Sequence, residues 1–422
     1  MKLLEFKSGI VGILLRLLTL ISKFILVVHL AKYLSPEEMG VYGVFVATVG
    51  YALYFLGLDF YAYASREMLA LDKSEWAFVI RDQVVFYVIV YLVVLPFLVL
   101  VFFAGLLKWE DIAWFYLILS IEHLSQESYR LLVVIHRANF ANLVLLLRGG
   151  AWVYVVVGLM YSDDSYRQLD TVWSGWFIGA VLSMLLTARI LYKDLDWCGV
   201  RGRSIDWYWI RRGLKNALLF FAGTLALRGI FIADKYFLKI NIGDAAVGVY
   251  VFFMGMSSAI LSFIEAGVVA QQYPKIVAAY NRGEYSEYKS KMKRMAKEIL
   301  FAVVVLSIGA IGLIYPVLEF VGKSIYWQKI EIYWVLVVFN CAMCFGHIAY
   351  FPLYVRRLDV KILISNYVGL LCVLVSLVVL TPKLAALGVA LSMVLSMVSI
   401  SLTQTVFIFY ERSNSKSSIL AR

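Results

Sequence analysis

Arg16 and Lys23 stand seven residues apart in the first long apolar run of the chain, and Arg228 and Lys235 repeat that spacing in the seventh. Seven residues are close to two helical turns, so each pair lies on one helix face. A further cation, Arg148, sits deep in the fifth run. An ionised side chain at the centre of a membrane helix costs ~2.5–3.5 kcal/mol on insertion scales, so such residues face a polar cavity or a partner. Arg16 and Lys235 are near enough to span ends to snorkel, whereas Arg148 and Arg228 are not. Cations gathered in this way suit an anion. A unit-charge pair about 4 Å apart gains ~4 kcal/mol at an effective dielectric of about 20, before desolvation, so several of them can grip a diphosphate. Arg16, Lys23, Arg148, Arg228 and Lys235 are therefore the candidate substrate-binding residues. The competing reading is internal ion pairing, for which Asp234 stands directly beside Lys235.

Acids are fewer within the apolar runs. Glu122, Gln126 and Arg130 are spaced by four in the fourth run and share a face, so Glu122 meets Arg130 only through an intermediate group. Glu265 lies in the inner part of the eighth run, and His123 and His347 are near mid-run. Glu122, Glu265 and His347 are the candidates for carrying a coupling ion, against the plainer reading of satisfied core groups. Pro96 and Pro352 interrupt helical hydrogen bonding inside runs and are expected to kink them.

No motif points to an enzyme. The chain has no P-loop, no G-x-S-x-G, no H-E-x-x-H and no clustered metal ligands, so neither a cofactor nor a metal is expected. Cys341 and Cys344 form a C-x-x-C inside an apolar run, where packing is the expected role rather than redox or zinc chemistry.

The elements that must position these residues are membrane helices. Hydrophobic residues make up 63% of the 422 residues and charged residues 16%, which excludes an ordinary soluble domain. Twelve apolar runs are legible, near 8–31, 41–64, 82–107, 112–135, 140–161, 172–192, 214–240, 246–271, 299–322, 330–355, 362–382 and 384–410. Each can cross a hydrocarbon core, which takes about 20 helical residues. The first run is too long for the core of a signal peptide and reads as a span.

Lys and Arg alternate between the gaps. The even-numbered gaps and both ends hold clusters, the densest being Arg189–Lys215 and Lys275–Lys297. The odd gaps hold only Lys32, Lys108, Arg167, Lys239, Lys323 with Lys329, and Lys383. The cation bias of cytoplasmic loops places both termini inside. The net charge of +11 is then mostly topology, and nucleic acid is not an expected partner.

A weak internal repeat is present. Gly40-Val-Tyr in YLSPEEMGVYGVF matches Gly248-Val-Tyr in INIGDAAVGVYVFF, and GAVLSMLL (179–186) matches GVALSMVL (388–395) at nearly the same offset. Each half holds six spans, an even number, so the repeats are parallel. The expected organisation is an N-lobe over 1–193, a basic cytoplasmic linker over 194–213 and a C-lobe over 214–422. The linker's Trp197, Trp207 and Trp209 suit the headgroup layer.

Three stretches carry a family resemblance: LAKYLSPEEMGVYGVF (30–45), LRGIFIADKYFLKINIGDAAVGVY (227–250) and YPKIVAAYNRGEYSEYKSKMKRM (273–295). The chain resembles the polysaccharide transporters, flippases of lipid-linked oligosaccharide and O-antigen repeat units. They belong to the multidrug/oligosaccharidyl-lipid/polysaccharide exporter superfamily. The resemblance spans nearly the whole chain through length, span number and the six-plus-six repeat.

It implies an all-α integral membrane protein with twelve transmembrane helices in two six-helix lobes around a V-shaped cleft, the first and seventh helices lining it. It also implies an undecaprenyl-diphosphate-linked oligosaccharide substrate, carried between leaflets of a bacterial inner membrane by alternating access for lipopolysaccharide or other surface polysaccharide. The partners implied are membrane lipid, H+ or Na+, a glycan polymerase and a chain-length regulator. The first span lacks the acid found in many multidrug extruders of the superfamily, which favours an anionic substrate. A multidrug antiporter is the alternative and predicts acids and aromatics in place of the cations. A glycan polymerase or ligase needs a larger outer loop than the one near 161–171.

Overall fold

A computed structural model describes residues 2–200 and 202–420, with side chains described outside 2–10, 13, 219–220 and 412–420. The inner-segment cations Lys2, Lys7, Arg201, Arg412, Lys416 and Arg422 lie outside that description.

The regular structure among the described residues is helical throughout. The first half comprises α1 (Lys2–Tyr33), α2 (Pro36–Gly57), α3 (Phe60–Ala70), α4 (Trp76–Leu98), the short α5 (Leu100–Phe103), α6 (Ile112–Val134), α7 (Ala138–Leu146), α8 (Trp152–Ser162) and α9 (Leu169–Asp194). The second half comprises α10 (Trp207–Asn241), α11 (Asp244–Ser257), α12 (Ala259–Ile264), α13 (Ala270–Asn281), α14 (Tyr285–Val321), α15 (Ser324–Gln328), α16 (Ile330–Val355) and α17 (Asp359–Leu420). Without water in the membrane core, helices satisfy their backbone groups internally, which is why the apolar runs take this form.

Nine of these helical segments are long and apolar enough to cross a membrane, or ten when the bent α10 counts as one span. Two features carry the count to twelve passes. The polar residues Glu122, His123, Gln126 and Glu127 dilute α6, and α17 is two helices joined at Ala385, whose φ of 50° breaks the helix.

Helix boundaries follow local chemistry. Ser35 and Glu38 form a reciprocal capping box at the start of α2, the backbone N–H of Ser35 donating to Glu38 Oε2 at 2.8 Å and that of Glu38 to Ser35 Oγ at 3.2 Å. Pro36 takes the first helical position, where its missing N–H costs nothing. α2 ends at Leu58 and Asp59, both in the left-handed region. Two spans contain π-helical turns, Leu147–Ala151 between α7 and α8 and Glu265–Val269 between α12 and α13.

The chain divides into two compact units, one of residues 1–34 and 44–224 and the other of residues 35–43 and 225–422. In the first, Phe45 stacks on Trp173, and Phe60 stacks on Phe86 with Trp209 at its edge. The basic connector is fastened to this unit. Arg81 donates to the carbonyls of Val200 at 2.6 Å and Ser204 at 3.0 Å, and Asp82 Oδ2 accepts from the backbone N–H of Asp206 at 3.1 Å. In the second unit, Phe252, Phe253, Tyr326 and Tyr333 pack ring against ring in the interior.

Candidate functional site

Two polar networks of the first unit centre on α6. Arg148, carried on the π-helical turn between α7 and α8, donates through Nε to Glu122 Oε1 at 2.7 Å. Trp176 on α9 donates to the other oxygen, Oε2, at 3.2 Å. The two charged side chains are 15% and 9% exposed, so this is a largely buried, hydrogen-bonded ion pair. A π turn widens the helix and re-aims its side chains, which is how Arg148 reaches across to α6.

One turn further along α6 a second network forms. Glu127 accepts from Tyr87 at 2.6 Å and from Gln83 at 3.3 Å, and it pairs with Arg130. The Arg130 guanidinium lies 3.5 Å over the Tyr61 ring. Tyr61, Ser65, Gln83, Glu127 and Arg130 together line a small pocket. His123, buried between these networks, meets Tyr91 Oη through Nδ1 at 2.8 Å and packs edge-on against Tyr87.

Arg16 projects from α1 with an exposed side chain, its Nε donating to Asn142 Oδ1 on α7 at 2.8 Å. Lys23 is likewise exposed on α1, two turns on. Between residues 8 and 31 this helix carries no acid.

In the second unit Arg228 is exposed on α10. Lys235 is not arranged like Lys23. Its Nζ lies 3.1 Å from Asp234 Oδ2 and 3.0 Å from the Phe231 carbonyl. Asp234 is fully buried and also accepts from Tyr250 Oη at 2.9 Å. Glu265 projects from the second π-helical turn, with His347 Nε2 3.8 Å from its Oε1.

The structure thus separates the candidate cations by environment. Arg148 and Lys235 are charge-compensated by Glu122 and Asp234. Arg16, Lys23 and Arg228 keep exposed side chains. Among the candidate acids, Glu122 is engaged by Arg148 and Trp176, whereas Glu265 is 54% exposed beside His347. Sequence reasoning did not single out Glu127. The signal for it was its i,i+3 spacing to Arg130, and its other partners, Gln83 and Tyr87, lie on α4 and are four residues apart. Among the described residues no cluster of His, Cys, Asp and Glu has the makings of a metal site. Cys344 is buried and Cys341 half-buried, and both are free thiols.

No family model matches the chain, and no curated protein matches it. Solved structures do. An inward-facing multidrug resistance MATE family transporter of the MOP superfamily superposes with a TM-score of 0.75 at 15% identity, covering 94% of this chain and 95% of that one. An outward-facing multidrug resistance MATE family transporter gives 0.60 at 16% identity, covering 96% and 94%. A MOP superfamily transporter from Pyrococcus furiosus, for which reverse polarity of the binding pocket suggests a different function, gives 0.59 at 16% identity, covering 96% and 93%. Identities this low speak for the fold alone. The chain is a multi-pass membrane protein with a MATE-like transporter fold, matched over nearly its full length.

Proposed function

We propose that the protein is a flippase that moves a lipid-linked, undecaprenyl-diphosphate-bearing oligosaccharide repeat unit from the cytoplasmic to the outer leaflet by alternating access. The observation that carries this reading is the charge of α1, which exposes Arg16 and Lys23 and has no acid between residues 8 and 31. Arg228 adds an exposed cation on α10. Exposed guanidinium and ammonium groups attract phosphate, and Arg does so through a planar, bidentate fork. Arg148 and Lys235, each paired with a carboxylate, are further candidate contacts for the same phosphates. In this reading the protein lies in the bacterial inner membrane with both termini in the cytoplasm, and it feeds a glycan polymerase and chain-length regulator.

The second reading is an ion-coupled multidrug antiporter. It draws support from the multidrug transporters that share the fold, and from the Glu265–His347 pair as a place to exchange H+ or Na+. Analysis of lipid extracts from a deletion strain tests the choice. The flippase reading predicts accumulation of polyprenyl-diphosphate-linked oligosaccharide with unchanged susceptibility to cationic drugs. Increased drug susceptibility with a normal lipid-linked pool supports the antiporter.

A further inference from the structure

α14 runs for 37 residues from Tyr285 to Val321, basic at its start and apolar enough beyond that to cross a membrane. Two rows of charge wind along the basic part. One row is neutralised on the helix itself. Lys291 pairs with Glu287 at 2.9 Å, and Arg294 with Glu298 at 2.7 Å, while Glu298 also accepts from Gln272. Arg282, just before the helix, is held by Glu284 at 2.7 Å. The other row is Lys289, Lys293 and Lys297. All three are exposed, and among the described residues none of them makes an ion pair.

The second row does not stop where the charges stop. At 3.6 residues per turn, Lys289, Lys293 and Lys297 share a face with Leu300, Phe301, Val304, Ile308 and Ile311. These apolar residues are exposed as well, Phe301 at 72% and Ile308 at 66%. A helix face that stays apolar and uncovered along a membrane span is covered by acyl chains. The lysine row therefore begins one turn beyond the acyl-covered stripe and extends ~12 Å along the axis, at about 1.5 Å per residue. That is the depth of the headgroups and the water just outside them.

We infer that Lys289, Lys293 and Lys297 form a docking stripe for the phosphate groups of anionic glycerophospholipids, whose acyl chains lie along Leu300, Phe301, Val304 and Ile308 on the same helix face. The occupant is lipid rather than an acidic protein segment because cationic and acyl-covered surface are continuous on one face. The neighbouring row, with acids to match its cations, offers no such charge. The stripe is independent of whether the cargo is a glycan lipid or a drug.

The test uses the full chain reconstituted in phosphatidylcholine vesicles with a minor share of spin-labelled phosphatidylglycerol, reading the immobilised label against a spin-labelled phosphatidylcholine control. A lysine near an anionic surface contributes about fivefold to association. Lys289→Gln, Lys293→Gln and Lys297→Gln combined are expected to lower the preference for phosphatidylglycerol by about tenfold or more. Glu287→Gln with Lys291→Gln, which removes a neutralised pair, is expected to leave it intact. Each single lysine variant is expected to show a partial loss, which keeps the test decisive should the triple variant not fold. Wild-type preference in all three single variants, or equal immobilisation of both lipids by the wild-type protein, overturns the inference.

Discussion

Gly40 and Gly248 approach each other's helices reciprocally. A Cβ on Gly40 meets the carbonyl oxygen of Asp244, four residues before Gly248, and a Cβ on Gly248 meets the carbonyl oxygen of Pro36, four residues before Gly40. One turn further on, a Cβ on Gly43 meets the side chain of Val251, its repeat counterpart. α2 and α11 therefore touch backbone to backbone at the Gly-Val-Tyr triplets that mark the internal repeat.

Because the obstacle at Gly40 and at Gly248 is backbone and not a flexible side chain, an added methyl group forces the helices apart. Gly40→Ala and Gly248→Ala are each expected to destabilise the protein by about 1–3 kcal/mol, the usual cost of overpacking. Thermal unfolding in detergent checks this. Midpoints equal to that of the wild type contradict the close contact.

The Glu122–Arg148 pair makes a sharper energetic prediction. Removing one partner of a buried ion pair leaves a charge uncompensated and typically costs about 3–5 kcal/mol, whereas removing both is far milder. Glu122→Gln and Arg148→Gln are each expected to lower the unfolding midpoint, and the double variant is expected to recover much of the loss. A double-mutant cycle with additive effects shows that the pair is uncoupled.

The topology is testable at two exposed serines. Ser165 lies in the short connection between α8 and α9, and Ser286 near the start of α14. With both termini in the cytoplasm, a cysteine at 165 is labelled by an impermeant maleimide in intact cells and a cysteine at 286 only after permeabilisation. The opposite pattern inverts the orientation.

Arg228 separates charge from shape. In a complemented deletion strain at matched protein level, Arg228→Lys is expected to retain part of the surface glycan, because the charge persists without the planar fork. Arg228→Gln is expected to lose most of it. Equal glycan from Arg228→Gln and the wild type removes this residue from the substrate site.

Much of this architecture was legible in the chain, and the reasons differ by feature. The spans were legible because a helix must stay apolar for about 20 residues to cross lipid. The break at Ala385 falls where the eleventh and twelfth runs meet, but the break within the second run was not legible, since Leu58 and Asp59 take positive φ values without being glycine, and no composition marks a π-helical turn such as Glu265–Val269. The Asp234–Lys235 contact was readable because the partners are adjacent. Arg148 found Glu122 on another helix, 26 positions away, through packing that one sequence does not encode locally. For the same reason equal seven-residue spacing does not guarantee equal surroundings: Lys235 turns to a buried carboxylate and is largely buried, whereas Lys23 is exposed.

The most direct measurement reconstitutes the purified protein in vesicles loaded on one leaflet with a polyprenyl-diphosphate oligosaccharide and follows its appearance on the other, in parallel with uptake of a cationic dye under an ion gradient. The expected result is movement of the glycan lipid that is lost in the Arg16→Gln, Arg228→Gln double variant and partly kept in the Arg→Lys counterpart, with no dye uptake. Gradient-driven dye uptake with no movement of the glycan lipid contradicts it.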